Sequence, residues 1–108
     1  MEGNTLMNIS LDYDETYTRD PEFWDLVISA AHYQDHKVYC VTMRSAAECD
    51  DVFASLMNKV DGIFCTNRQA KEKYMFKEGI MIDVWIDDMP FFILNNARPQ
   101  ETPSGALF

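Results

Sequence analysis

The sequence has little positive charge. Nine lysines and arginines stand against eighteen aspartates and glutamates, a formal charge of −9 over 108 residues. That balance disfavours binding by a broad coat on nucleic-acid phosphates or on an anionic membrane, and leaves room only for a local basic spot. No apolar run approaches the roughly 20 residues a membrane span requires. No basic stretch followed by an apolar one opens the chain, so no secretory signal is read there. Cysteines are few and odd in number: Cys40, Cys49 and Cys65 form no CxxC pair, which favours buried thiols in a reducing, cytoplasmic setting. The two histidines, His32 and His36, complete no zinc site with them at a familiar spacing. What remains is 47% hydrophobic, enough to bury one core without disulfides or a structural metal.

The apolar residues fall in short runs alternating with helical stripes. Leu6 to Leu11 is apolar and stops at acidic residues, as a buried strand does. Asp20-Pro21 reads as a helix N-cap followed by proline at the first helical position. From Glu22 to Tyr33 the spacing of Phe23, Leu26, Val27, Ala30 and Ala31 predicts an amphipathic helix. Lys37 to Thr42 is β-branched and aromatic, a second strand. Ser45 and Glu48 form a capping box opening a helix through Val52, Phe53, Leu56 and Met57 towards Asn58. Gly62 to Cys65 is a third strand, and Arg68 to Glu78 a helix closed by Gly79. Ile80 to Ile86 is a fourth strand, and Phe91 to Leu94 after Pro90 a fifth. Such alternation defines an α/β chain, a three-layer Rossmann-like domain on a parallel sheet. Phe23, Trp24, Phe53, Tyr74, Phe76 and Trp85 are expected mostly in its core, with Tyr13 and Tyr17 placed to touch a substrate. Residues 1–94 form the domain. Residues 95–108 read as a tail, flexible or docking its Ala-Leu-Phe end on a partner subunit.

Ligands of such folds gather at the carboxyl ends of the strands. After the first predicted strand comes Asp12-Tyr13-Asp14-Glu15-Thr16, and after the second Thr42-Met43-Arg44-Ser45. Near the start of the third long helix lies Lys71, with Lys73 following. After the fourth strand comes Asp87-Asp88-Met89-Pro90. Every chemically useful group falls on one edge of the predicted sheet. In this the sequence resembles the haloacid dehalogenase superfamily of phosphohydrolases. ISLDYDETYT matches its apolar strand with Asp-x-Asp-x-Thr, and YCVTMRS its strand ending in Ser or Thr. QAKEKY matches its helix-borne lysine, and VWIDDMP its strand ending in an acidic pair. A lone Asp-x-Asp-x-Thr is weak, but four motifs in order from Asn8 to about Leu94 are strong.

The resemblance implies strand order 3-2-1-4-5 and an aspartyl-phosphate mechanism. Asp12 is then the nucleophile and Asp14 the general acid/base. Thr42 and Lys71 contact the phosphoryl oxygens, and Thr16 and Arg44 the substrate. Mg2+ is held by Asp12, Asp14 (through its backbone carbonyl), Asp87 and Asp88, with Asp88 as the direct ligand of the pair. The residue types suit the task, since phosphoryl transfer needs a nucleophile, a proton shuttle and cations to spread charge. Four carboxylates against one lysine repel unless their pKa values rise or a divalent cation intervenes.

Few residues separate Thr16 from Pro21, and one helix and one strand separate Thr42 from Lys71, so no cap domain is expected. An uncapped site stays open, which suits a macromolecular or terminal phosphate, or closure by a neighbouring subunit. The expected substrate is a small metabolite, nucleotide or terminal phosphate, and the missing cap and apolar tail end favour a homodimer. The net charge disfavours a nucleic-acid substrate. Blander readings stand beside these. Lys71, like Lys73, could be a solvated lysine, Arg44 could pair with a surface acid, and His32 and His36 could serve a helix end. A receiver domain would need its aspartate where Cys65-Thr66-Asn67 stands, and a toprim-type site would reverse the order of the acids. The functional alternative is a non-catalytic module of the same fold that binds a phosphorylated ligand or a protein partner.

Overall fold

The computed structural model describes residues 5–98, so the expectations for the first residues and for the Ala-Leu-Phe end lie outside the described residues. Four strands, β1 (Asn8–Leu11), β2 (Lys37–Thr42), β3 (Gly62–Cys65) and β4 (Val84–Ile86), form one sheet in the order β3-β2-β1-β4. All three pairings are parallel, with Leu11 opposite both Cys40 and Ile86. Four helices join or follow them: α1 (Pro21–Tyr33), α2 (Asp50–Leu56), α3 (Lys71–Lys77) and α4 (Phe91–Leu94). The fold is therefore α/β on a parallel sheet.

Local chemistry explains most boundaries. Asp20 caps α1 by accepting from the Phe23 amide at 3.2 Å, and Pro21 fills the first position, where no amide donor is needed. Gly79 ends the α3 region at φ +81°, a left-handed conformation that costs glycine little. The α3 helix starts at Lys71 rather than at Arg68 because Asn67 and Arg68 both take positive φ, 56° and 65°, which no helix accommodates. The Glu48 carboxylate accepts from the Ser45 amide at 2.9 Å, but the capped turn is a 3-10 turn (Ala46–Glu48) and α2 starts afresh at Asp50.

Two strand expectations are corrected. Phe91–Leu94 is a helix, so among the described residues the sheet has no fifth strand and the expected order 3-2-1-4-5 is not formed. Pro90 sits in the αR region at its head, and the amides of Phe92 and Ile93 bond back to Met89 and Pro90. A four-residue apolar run carries no period that separates strand from helix. The fourth strand keeps only Val84–Ile86, paired with Ile9, Ser10 and Leu11 of β1.

The core lies between the sheet and α1 and α2. Leu11, Val38 and Cys40 pack with Ile28, Ala31, Val52 and Leu56, and Tyr13 and Tyr17 join them rather than facing a substrate. The buried stripe of α1 is Ile28 and Ala31 with half-buried Trp24, while Phe23 and Leu26 are 50% and 68% exposed. Phe53 and Phe76 are also exposed, against the expectation of core. Trp85 shares an apolar cavity of about 570 Å³ with Phe76 of α3 and Ile93 of α4.

The cysteines depart from three buried thiols. Cys40 is a buried free thiol, but Cys49 and Cys65 form a disulfide. Cys49 ends the 3-10 turn and Cys65 ends β3, and the fold brings their Cα atoms to 6.8 Å. No helix among the described residues is long and apolar enough to cross a membrane.

Candidate active site

The carboxyl edge of the sheet brings Asp12, Lys71, Asp87, Asp88 and Thr16 together. Asp12 follows β1 directly, and its amide donates to the Ile86 carbonyl at 2.9 Å, so the β1 and β4 ends are locked side by side. The Asp12 carbonyl accepts from the Tyr17 amide at 3.2 Å, curling the Asp12–Thr16 segment over the strand end, with Glu15 at φ 61°. Lys71, the first residue of α3, donates to Asp12 Oδ1 at 3.0 Å and to Asp87 Oδ2 at 2.5 Å. The Thr16 hydroxyl faces Asp12 Oδ2 at 3.4 Å and Asp88 Oδ1 at 3.3 Å. Thr16 therefore touches two of the acids rather than standing free. Asp87 is also held by the Met89 amide at 2.9 Å.

Burial makes these contacts consequential. Asp12 and Lys71 are 3% and 2% exposed. Burial, then the neighbouring charge of Asp87, pushes the Asp12 carboxyl well above its ordinary range, against the pull of Lys71. Burial alone would lower the Lys71 pKa, but Asp12 and Asp87 outweigh it and hold the ammonium charged. One cation facing two buried carboxylates leaves negative charge in excess. Lys71 is the lysine at this edge, whereas Lys73 is exposed and lines the cavity beside Phe76 and Trp85.

Asp12, Asp87 and Asp88 each offer an oxygen, all within 4.8 Å of one another. Three hard oxygen donors with surplus negative charge fit a small divalent cation such as Mg2+. The Asp14 carboxylate stands outside this trio, because Arg44 takes it. Arg44 Nε and Nη2 donate to Asp14 Oδ2 and Oδ1 at 2.9 and 2.6 Å, a two-pronged pair. Both Asp14 oxygens are thus engaged by Arg44, and Arg44 faces protein acids rather than open solvent. Thr42 is fully buried, and its hydroxyl accepts from the Arg44 amide at 3.4 Å. Strand register sets Thr42, the last residue of β2, opposite Cys65 at the end of β3.

Sequence reasoning missed Asp51 and Glu48, which hold Arg44 from α2 and the turn before it, and Thr66, whose amide donates to the Thr42 carbonyl at 2.8 Å. A signal existed for Glu48 in the capping box, though not for its main-chain role. The histidines have plain partners: His32 pairs with Asp61 at 2.8 Å, and His36 accepts from the Met7 amide. Comparison with family models, curated proteins and solved structures finds no match to this chain.

Proposed function

We propose that the chain is a Mg2+-dependent phosphomonoester hydrolase of the haloacid dehalogenase type, on a three-layer Rossmann-like domain without a cap. The observation that carries this reading is the setting of Asp12. It is a buried carboxylate at a strand end, bonded to Lys71 and sharing an oxygen cluster with Asp87 and Asp88. A buried acid gathered with two more acids and a lysine is a costly arrangement for a fold with no use for it.

In the proposed reaction Asp12 attacks the substrate phosphorus in line, and the bond from phosphorus to the ester oxygen breaks. Asp14 donates a proton to the departing alkoxide. Water then attacks the aspartyl-phosphate, Asp14 takes back a proton, and inorganic phosphate leaves with Asp12 restored. Lys71 and Thr42 spread charge on the phosphoryl oxygens. Asp12, Asp87 and Asp88 would hold the magnesium ion, which supplies charge neutralisation at the phosphoryl group. Thr16 fixes the relative position of the Asp12 and Asp88 carboxylates. The substrate is a small metabolite, nucleotide or terminal phosphate reaching an uncapped site, and a homodimer belongs to the same reading.

Phosphate release from a panel of monoesters with Mg2+ tests it. Turnover that is lost in Asp12→Asn and in chelator supports the hydrolase. A folded, Mg2+-binding chain that releases phosphate from no ester sinks it and leaves the non-catalytic module. A cytoplasmic setting rests on the odd cysteine count, while the Cys49–Cys65 bridge weighs against a reducing compartment. Alkylation of free thiols at the moment of cell lysis decides between them.

A further inference from the structure

Arg44 spends its donors inside the protein. Besides the two bonds to Asp14, its Nη1 donates to the Asp51 carboxylate at 2.7 Å and to the Glu48 carbonyl at 2.7 Å. These engage all three guanidinium nitrogens, of whose five N–H groups few remain for a phosphate. The guanidinium also lies over the Tyr13 ring, 5.3 Å from its centroid, and the Tyr13 hydroxyl is tied to Ser55 of α2 at 3.1 Å. The Arg44 side chain is 18% exposed and that of Asp14 5%. Its backbone is pinned as well, for the Asn67 amide donates to the Arg44 carbonyl at 3.0 Å. A side chain so constrained on four sides presents one orientation to Asp14.

We infer that Arg44 is a positioning residue, fixing the Asp14 carboxylate at one place beside Asp12 through a two-pronged pair anchored by Asp51, the Glu48 carbonyl and Tyr13, rather than binding the substrate phosphate. The inference rests on the hydrolase reading for its catalytic consequence. A carboxylate that must take the proton of the attacking water needs one fixed location for that step, and a misplacement of about 1 Å costs on the order of 100-fold. Lysine would keep the charge and lose the fork, so it is no conservative replacement here.

The test compares Arg44→Lys with Asp51→Asn, whose side chain is 59% exposed and whose loss leaves the core untouched. A positioning role predicts kcat down about 10- to 100-fold in Arg44→Lys and less in Asp51→Asn, with KM and inhibition by inorganic phosphate unchanged. It also predicts that Arg44→Lys costs nothing further in an Asp14→Asn background. A raised KM with kcat kept, or additive losses, overturns it in favour of a substrate contact. The fork is read independently of turnover from the Arg44 Nε–H resonance in 15N NMR. That signal should be slow to exchange in the wild type, lost in Asp14→Asn, and unmoved by vanadate with Mg2+. A vanadate-induced shift, or a rapidly exchanging wild-type signal, overturns the inference. Absence of wild-type turnover would fail the hydrolase reading alone, and the NMR result would still decide whether the fork exists.

Discussion

Lys71 is the residue on which the acidic cluster depends. It is the first residue of α3, buried, and bonded to two carboxylates from two different strand ends. Replacing it by methionine keeps the bulk and leaves Asp12 and Asp87 facing each other without a cation. Breaking one side of a buried pair costs about 3–5 kcal/mol. Thermal unfolding of Lys71→Met should show a loss of this order, partly recovered by millimolar Mg2+; an unchanged midpoint would mean the cluster carries no charge. Glu48 makes a pH prediction. The Arg68 side chain, then the Ser45 amide, hold its carboxyl down to about 2 from the ordinary 4.5. A depressed carboxyl contributes stability that is present above pH 4.5 and lost as pH falls towards 2. Because Glu48 is largely exposed, salt screens the effect. Melting followed from pH 5 to 2 at low salt should show an acid limb that flattens in Glu48→Gln.

At the scale of elements, the disulfide sets what holds the β2–β3 side together. Cys49 and Cys65 are 16 residues apart and enclose α2. Closing a loop of about 15 residues stabilises by about 3 kcal/mol in the chain-entropy description, which in a domain this size is about 12–24 °C of midpoint. Reductant, or Cys65→Ser, should lower the midpoint on this scale, and a melt indifferent to reductant would show that the bridge does not form in solution. Boundaries were legible wherever a side chain caps or stops an element, as at Asp20-Pro21 and Gly79, because capping is local chemistry. The faces were less so. The sequence spacing of Phe23, Leu26 and Ala30 is as helical as that of Trp24, Ile28 and Ala31, and only packing against the sheet chooses between them.

At the scale of the whole molecule, charge decides. A net −9 is self-repelling, and three of the acids crowd within one oxygen cluster. A cation bound there should raise the midpoint beyond what screening gives, since a ligand at 100 times its Kd adds about 2.7 kcal/mol. Millimolar MgCl2 compared with NaCl at equal ionic strength separates the two. Magnesium should win in the wild type and lose its advantage in Asp88→Asn. Equal shifts from both salts would mean screening alone.

By itself the sequence determined the parallel α/β pattern, the strand ends and the acids placed just beyond them. Period, capping and the position of a residue after a strand are properties of neighbours in the chain. Tertiary structure decided the rest. The Cys49–Cys65 bridge, the burial of Lys71 between Asp12 and Asp87, and the capture of Asp14 by Arg44 join residues 16 to 59 positions apart. Such partnerships depend on which strand lies beside which, and on how far a buried charge must reach to find its counter-charge. A four-residue run such as Phe91–Leu94 falls between the two, too short to carry a period and resolved only by the turn that Pro90 starts.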